Sequence, residues 1–498
     1  VAASTPQAAQ APALVQAALN AFKTRDRDAA AALLQQAVST NAALGKGWGA
    51  VSRLASTIGE SETALSAARL YAASATPSND GPLLALAEML AQQGRTQAAE
   101  QVAADLARAQ PNNAAAWHLL GACRSQLGQT EQSLADLRRA VRLQISPAST
   151  VWSWQAIAEA KRFSADDPDL AAMQDLRRQL TDRPGAEEAR SVLNYALGKA
   201  YDDIGEIDQA FEAFAAGAAF LKARSPFNAD VSDAYVAQLI ADWTPDFHAR
   251  LPVGLDTSRA IFVLGLPRSG TTLVEQILTS HSAVTDGAEI NLFGAAAMPI
   301  KGFGAAAVAD FVRDNGGDAL RGIAATYEHL LQQRFGPNGR VIDKTLNHSR
   351  FVGLIARALP TARFIWLERH PGAVAWSCWK TRFARGADWA WSFEDMARHF
   401  RAEDRLRAHW SAVLGDRVLH VPYEALVAAP DHWINRIIDH VGLAPEAGLR
   451  DFHTTDRAVT TASFAQVRRP LYKTSLDAWR RYEARLTPFF RAYEGPRA

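Results

Sequence analysis

Residues 260–278, AIFVLGLPRSGTTLVEQIL, constrain the fold more than any other stretch of this 498-residue chain. Ala260 to Leu266 is a continuous apolar run, the pattern of a parallel strand buried on both faces. PRSGTT follows, and then Leu273, Val274, Ile277, Leu278 and His281 fall on one helical face. Strand, glycine loop, helix is the context in which backbone N–H groups and a helix N-terminus face a phosphate. Gly265-x-x-x-x-Gly270 has the spacing of a nucleoside-triphosphate loop, which needs a lysine next for the β- and γ-phosphates. Here that residue is Thr271, followed by Thr272. The positive charge stands earlier, at Arg268, and Ser269, Thr271 and Thr272 supply hydroxyl donors. The loop therefore suits a 5′-phosphate carrying one further group better than a triphosphate with magnesium.

Other strands repeat this placement of polar groups. RFIWLER ends at Arg369, and Pro371 then opens the helix PGAVAWSCWKTRF, which contains Ser377. RVID ends at Lys344, and RVLHVPYEAL places Tyr423 near its end. Arg268, Lys344, Arg369 and Tyr423 thus stand at or just beyond the carboxyl ends of strands, the edge at which open parallel sheets bind ligands.

The first half reads differently. IGESETAL, QGRTQAAE and LGQTEQSL carry Gly59, Gly94 and Gly128 at spacings of 35 and 34, and Pro77 and Pro111 are also 34 apart. Leu120, Gly121 and Ala140 form one unit after Trp117, and Leu197, Gly198, Tyr201, Ala210 and Phe214 another, with Gly205 in the turn. This period resembles the tetratricopeptide repeat (TPR), two antiparallel helices per unit. Between these units, VWSWQAIAEA and LAAMQDLRRQL can form a further pair. The expected organisation is a TPR-like solenoid of about five to six helical hairpins over residues 1–222, a partly helical linker over 223–259, and an α/β domain of the P-loop type with a parallel sheet over 260–498. The solenoid's concave face either holds a peptide or only scaffolds the second half.

Composition sets outer limits. The formal net charge is +1, so no global field draws nucleic acid or an anionic membrane. No run approaches the roughly 18 apolar residues of a membrane span. The two cysteines, Cys123 and Cys378, fall in different halves, which fits a reducing compartment and a cytoplasmic location. The opening VAASTPQAAQAPALVQ has no basic n-region and no long apolar core, so it does not read as a signal peptide. Oligomeric state stays open, a homodimer included.

PRSGTTLVEQIL resembles the 5′-phosphosulfate loop of sulfotransferases that use 3′-phosphoadenosine 5′-phosphosulfate (PAPS). ERHPGAVAWS is similar to their 3′-phosphate segment, an Arg followed eight residues later by Ser, here Arg369 and Ser377. Among these enzymes the likeness is to the protein-tyrosine sulfotransferases and to bacterial proteins that join TPR repeats to such a domain. The resemblance implies PAPS as donor, 3′-phosphoadenosine 5′-phosphate (PAP) as product, and no metal. It implies Glu289, in DGAEINLF, as general base, with Arg268, Lys344 and Ser463 stabilising the sulfuryl group and the leaving phosphate. Pro267, Arg268, Ser269, Gly270, Thr271 and Thr272 would hold the 5′ end, Arg369 and Ser377 the 3′-phosphate, and Tyr423 the nucleotide. The segment SFAQVRRPLY and its sequel would add Gln466, Val467, Arg468, Tyr472 and Lys473. Where the tyrosine enzymes have a lysine before a tryptophan, this chain has Ala478 before Trp479, so Arg468, Arg469 or Lys473 would supply that charge. The implied acceptor is a tyrosine of a peptide or protein.

Blander roles compete at several positions. Glu289 can serve a helix N-terminus, Lys344 can pair with Asp343 or another surface acid, and Asp286 is a weaker base. His370 reads as structural, Trp389 and Trp391 as core, and Arg480 and Arg481 as a solvated helix face. A phosphoryl transferase of the kinase or NTPase type is the rival enzyme, with Glu368 as its acidic magnesium ligand. An adaptor whose second domain binds nucleotide without chemistry is the rival outside enzymes.

Overall fold

The computed structural model describes residues 6–76, 79–287, 289, 291–452 and 474–495. Its first half is helical: α1 (Pro6–Lys23) packs with α2 (Arg27–Ser39), α3 (Gly47–Thr57) with α4 (Ser61–Ala72), α5 (Gly81–Gln92) with α6 (Thr96–Ala109), and α7 (Ala114–Gln126) with α8 (Thr130–Leu143). Then α9 (Val151–Ala160) and α10 (Pro168–Leu180) both pack on α11 (Glu187–Ile204), which pairs with α12 (Ile207–Arg224). The recurring glycines mark one repeated turn. Gly59, Gly94, Gly128 and Gly205 lie between the two helices of successive hairpins with φ of +84°, +72°, +80° and +85°. A side chain is disfavoured at such a φ, and glycine there ends one helix and lets the next fold back. Inside the pairs, small residues set the approach: a Cβ on Gly121 would come within 2.7 Å of Leu137, and one on Gly198 within 2.7 Å of Phe214.

The expected linker holds α13 (Ala229–Asp242) and α14 (Pro245–Arg250), capped by Asn228 and Thr244. Trp243, directly after α13, is buried edge-on against Trp410 at 5.8 Å.

The second half is a five-stranded, wholly parallel sheet. Its strands are β1 (Ala260–Leu264), β2 (Val284–Asp286), β3 (Arg340–Asp343), β4 (Arg363–Glu368) and β5 (Val418–Pro422), in the spatial order β2-β3-β1-β4-β5. The sequence predicts four of these. The fifth, β2, is a three-residue edge strand, too short to print a pattern. Strand alternation sends β1 side chains into two cores. Phe262 and Leu264 join Tyr327, Phe364 and Trp410 on one face, while Ile261 and Val263 join Val274, Ile277 and Ile438 on the other.

A third core ignores the expected boundary near residue 222. It runs from Leu137 through Tyr195 and Phe214 of the repeats to Trp376, Trp391 and Tyr482. Phe214 meets Trp376 edge-on at 5.8 Å, and Phe211 stacks on Trp379 at 6.1 Å. Among the described residues no helix is long and apolar enough to cross a membrane.

Candidate active site

Strand β1 is the pivot of the sheet. The chain leaves it towards β2 and β3 on one side and β4 and β5 on the other, so a crevice opens at the carboxyl ends of β1 and β4. The loop after β1 fills that crevice and leads into α15 (Thr271–Thr279). Three of its residues have positive φ: Gly265 at +142°, Arg268 at +70° and Gly270 at +111°. Such turns aim successive backbone N–H groups at one point. Arg268 adopts this conformation without being glycine, and its neighbours hold it there. Arg369 Nη1 donates to the Arg268 carbonyl at 3.0 Å, and Arg268 Nε donates to Ser377 Oγ at 2.9 Å. The Cys378 thiol donates to the Pro267 carbonyl at 3.5 Å, and burial pushes that thiol up to about 12. Gly270 lies flat against Tyr423, whose ring a Cβ would strike.

Ser269 is 2 % exposed, and its hydroxyl has no hydrogen-bond partner among the described residues. It lines a cavity of 220 Å³ beside the loop, together with Glu368, Arg369, Phe400, Arg407 and Tyr493. An orphaned hydroxyl at the start of a helix, beside converging N–H groups, is what an incoming phosphate would satisfy. Arg369 follows β4 and lays its guanidinium over the Tyr423 ring at 4.4 Å. Ser377 lies inside α16 (Pro371–Trp379), and Tyr423 opens the helix that follows β5.

Lys344 follows β3 and is 2 % exposed. Its ammonium donates to Glu289 Oε1 at 2.9 Å and stands 3.8 Å from Glu275 Oε2. Burial opposes its charge, but Glu275, Glu289 and Asp343 outweigh burial and hold it above the ordinary lysine value. Glu275 was not expected from the sequence. The available signal is a carboxylate within the buried run LVEQIL, at 2 % exposure on the first helix after the loop. Buried charges occur where they are paired.

Beside this pair, Asp343 and Thr345 form a short hydrogen-bonded chain. Thr345 Oγ1 donates to Asp343 Oδ1 at 2.8 Å and accepts from the Asn291 N–H at 2.9 Å, and Tyr327 donates to Asp343 Oδ2 at 2.9 Å. Lys344 thus pairs with acids, Glu289 and Glu275 rather than Asp343, whose oxygens accept from Thr345 and Tyr327. Asp286 closes β2.

The structure thus brings Pro267, Arg268, Ser269, Gly270, Thr271, Thr272, Arg369, Ser377 and Tyr423 to one sheet edge, with Lys344 and Glu289 at the end of the neighbouring β3. Arg268 and Ser377, expected at opposite ends of a donor, are hydrogen-bonded to each other. Ser463, Gln466, Val467, Arg468, Tyr472 and Lys473 lie outside the described residues.

Several bland readings describe the geometry well. The His370 ring caps α16 by accepting from Gly372 N–H at 3.1 Å and stacks on Trp479 at 4.5 Å. Trp389 and Trp391 are buried. Glu368 accepts from Arg407 at 2.9 Å and contacts His420 at 2.6 Å. Arg481 is exposed, and it also pairs with Asp202 of α11, as do Lys380 at 3.2 Å and the Tyr482 hydroxyl at 2.7 Å. Among the described residues no group of three or more His, Cys, Asp or Glu could hold a metal ion.

Comparison with known proteins adds a family. Residues 260–446 match the Sulfotransferase family model, and residues 114–144 match a Tetratricopeptide repeat model. An uncharacterized protein of Aquifex aeolicus (strain VF5) is 27% identical over 372 residues, 72% of this chain but 48% of that protein, so the chain spans about half the length of this relative. The sulfotransferase domain of the Synechococcus PCC 7002 olefin synthase is 23% identical, covering 46% of this chain and 89% of that one at a TM-score of 0.33. Mouse sulfotransferase SULT7A1, solved in complex with PAP, is 12% identical, covering 51% of this chain and 91% of that one at a TM-score of 0.25. Residues 260–446 thus carry a sulfotransferase-family domain, preceded in the chain by a tetratricopeptide-repeat match at 114–144.

Proposed function

We propose that the protein transfers the sulfuryl group of PAPS to an acceptor hydroxyl, most directly a tyrosine of a peptide or protein. One observation carries this: the Lys344–Glu289 pair, 2.9 Å apart, stands at the strand edge that also bears the lysine-less phosphate loop. In this reading the loop N–H groups, Ser269 and the α15 N-terminus hold the 5′-phosphosulfate. Arg369 and Ser377 hold the 3′-phosphate, and Tyr423 lies against the nucleotide. Binding then exchanges the Arg268–Ser377 bond for bonds to the donor.

Glu289 takes the proton from the acceptor hydroxyl as its oxygen attacks sulfur in line with the departing phosphate oxygen of PAP. The S–O bond to that phosphate breaks, and its negative charge is met by Lys344, Arg268 and the loop amides. Lys344, held charged by two carboxylates, keeps its ammonium for that task. Ser463 shares it, and Gln466, Val467, Arg468, Tyr472 and Lys473 complete the nucleotide cover. A cytoplasmic location belongs to the same proposal.

A kinase or NTPase is less well supported, since Thr271 replaces the required lysine and Glu368 is committed to Arg407 and His420. The test is calorimetric titration with PAP and with ATP plus magnesium, followed by transfer of labelled sulfate from PAPS to a tyrosine peptide. PAP binding and sulfation abolished by Glu289→Ala are expected. Binding of ATP with magnesium alone would overturn the reading, and PAP binding without transfer to any acceptor would favour the adaptor.

A further inference from the structure

The two carboxylates beside the buried Lys344 differ in access. Glu275 Oε2 stands 3.8 Å from the ammonium, and its side chain is 2 % exposed. Glu289 Oε1 accepts from the same ammonium at 2.9 Å, and its side chain is 42% exposed. An acceptor arriving from solvent meets Glu289 and not Glu275. Glu275 belongs to α15, four residues after Thr271, so the two share one side of the helix that follows the phosphate loop. A third acid, Asp343 of the lysine's own strand, accepts from Thr345 and Tyr327 and has His348 Nδ1 at 3.6 Å.

Two carboxylates around one ammonium leave an excess of negative charge beside a loop suited to an anion, which works against donor binding. A buried acid at this place therefore needs a function. A lone buried Lys–Glu pair can neutralise itself: the proton passes along the hydrogen bond and leaves an amine and a neutral acid, because burial disfavours both charges. Here that transfer would remove the proposed base and the proposed cation together. A second carboxylate at 3.8 Å opposes it, since its own burial is offset only while the ammonium keeps its charge. Turnover makes the same demand. When Glu289 takes the acceptor proton it becomes neutral and attracts Lys344 less. At that moment the acceptor oxygen bonds to sulfur, the S–O bond to PAP breaks, and the electron pair stays on the phosphate oxygen. Glu275 takes no part in that proton transfer and remains charged.

We propose that Glu275 is a positioning residue of the transfer centre, the permanent counter-ion that keeps Lys344 charged and in place while Glu289 gains and loses its proton, a proposal that rests on the sulfotransferase reading above. The two carboxylates divide the work by access: the half-open one exchanges protons, and the buried one does not. Burial opposes the charge of Lys344, and the attractions of Glu275, Glu289 and Asp343 offset it. Glu275 is the member of that set that lies on α15, so the helix behind the phosphate loop also fixes the charge of the lysine facing it.

The test follows kcat against pH for sulfate transfer from PAPS to a tyrosine-centred peptide, whose phenol titrates at about 10 and so stays protonated through the neutral and mildly alkaline range. Wild type is compared with the near-isosteric Glu275→Gln and with Glu275→Asp. Wild-type Lys344 is held above the ordinary lysine value, so kcat should not fall with rising pH in that range. In Glu275→Gln one attraction that offsets burial is gone, and the ammonium loses its proton earlier. Its alkaline fall should move to lower pH by about 1–3 units, a loss of about tenfold or more at the upper end. Glu275→Asp keeps the charge on a shorter side chain, and its fall should lie between the other two. A purely structural role would lower the amount of folded enzyme and leave the shape of the profile unmoved. An unmoved fall in Glu275→Gln, or equal profiles for the Gln and Asp variants, would overturn the proposal. If Glu275→Gln does not fold, Glu275→Asp decides, and a profile of wild-type shape overturns the proposal. Calorimetry with PAP separates the two levels. A wild type that binds no PAP, or moves no sulfate to the peptide, overturns the sulfotransferase reading and this inference with it. PAP binding and wild-type transfer with an unmoved fall in the variant overturn this inference alone.

Discussion

The loop edge and the seam between the two halves are both dense in charge, yet they are built in opposite ways. At the loop edge each group is delivered by its own strand within a residue or so: Arg369 by β4, Lys344 by β3, Tyr423 by β5. At the seam, Asp202 gathers Lys380, Arg481 and Tyr482 across 178, 279 and 280 residues of chain. The loop edge keeps orphaned or strained groups, such as the Ser269 hydroxyl and the positive φ of Arg268. The seam spends three donors on the Asp202 carboxylate, while in the aromatic core around it the Tyr195 hydroxyl, Trp376 Nε1 and Trp379 Nε1 lack hydrogen-bond partners among the described residues. The difference therefore lies in charge: the loop edge presents cations and N–H groups to a ligand, whereas the seam commits its cations to one carboxylate of the fold itself. Substitutions at the first region should therefore change chemistry more than stability, and those at the second should do the reverse.

Glu289→Gln is the sharpest way to break that contrast. It keeps the shape of a side chain that is 42% exposed and removes the proposed base. Sulfate transfer should fall by about 10²–10⁴-fold, with the urea midpoint nearly unchanged. A large loss of stability with transfer intact would make Glu289 a structural partner of Lys344 and nothing more.

Lys344→Met sits where the two behaviours overlap. It leaves Glu275 charged at 2 % exposure with the Lys344 ammonium, 3.8 Å away, gone. Removing one member of a buried pair costs about 3–5 kcal/mol, so the variant should unfold at markedly lower urea as well as losing transfer. If Glu275→Gln in the same chain restores much of the stability but none of the activity, the two roles of Lys344 separate.

Asp202→Asn tests the seam. Its side chain is 9% exposed, and three donors converge on it, so loss of the charge should cost about 1–3 kcal/mol. Burial raises the Asp202 carboxyl, but Lys380, Tyr482 and Arg481 outweigh burial and hold it below the ordinary value. A depressed folded pKa stabilises the fold fully above the unfolded carboxylate value of about 3.9 and stops doing so as pH falls through the folded value. The gap in melting temperature between wild type and Asp202→Asn should thus be constant near neutrality and close in acid. A gap that widened in acid would mean that the pairing with Lys380 and Arg481 is not what Asp202 contributes.

What could be read from the sequence follows the same division. The loop, four of five strands and the repeat turns are local: an apolar run beside a glycine pattern, or a glycine every 34 residues, needs no knowledge of distant chain. Strand ends then place Arg268, Lys344, Arg369 and Tyr423 at one edge by topology alone. Partners that meet through folding were not legible. Nothing near Glu275 in sequence announces Lys344, and nothing near Asp202 announces Arg481. The Arg268–Ser377 bond likewise joins two residues that the family pattern assigns to separate phosphates. The repeat pattern ends near residue 222, yet packing joins the chain on either side of it: Phe211 and Phe214 lie against Trp379 and Trp376.

The smallest expected effect sharpens the comparison at single-residue resolution. Arg480 and Arg481 are adjacent and chemically identical, so pattern alone treats them alike. Arg480 pairs with Asp477 one turn back and is largely in water, where such pairs contribute little. Arg481 reaches Asp202 and its backbone carbonyl across the seam, though at 38% exposure solvent weakens the attraction. Arg480→Ala should leave the urea midpoint where it is, and Arg481→Ala should cost about 1 kcal/mol, the net worth of a modest hydrogen-bonded contact. In an Asp202→Asn background the Arg481→Ala cost should shrink, because the two residues act on each other. Equal costs for the two arginines, or additivity with Asp202→Asn, would show that the repeats are held by their aromatic core alone and that the charges at the junction are decoration on it.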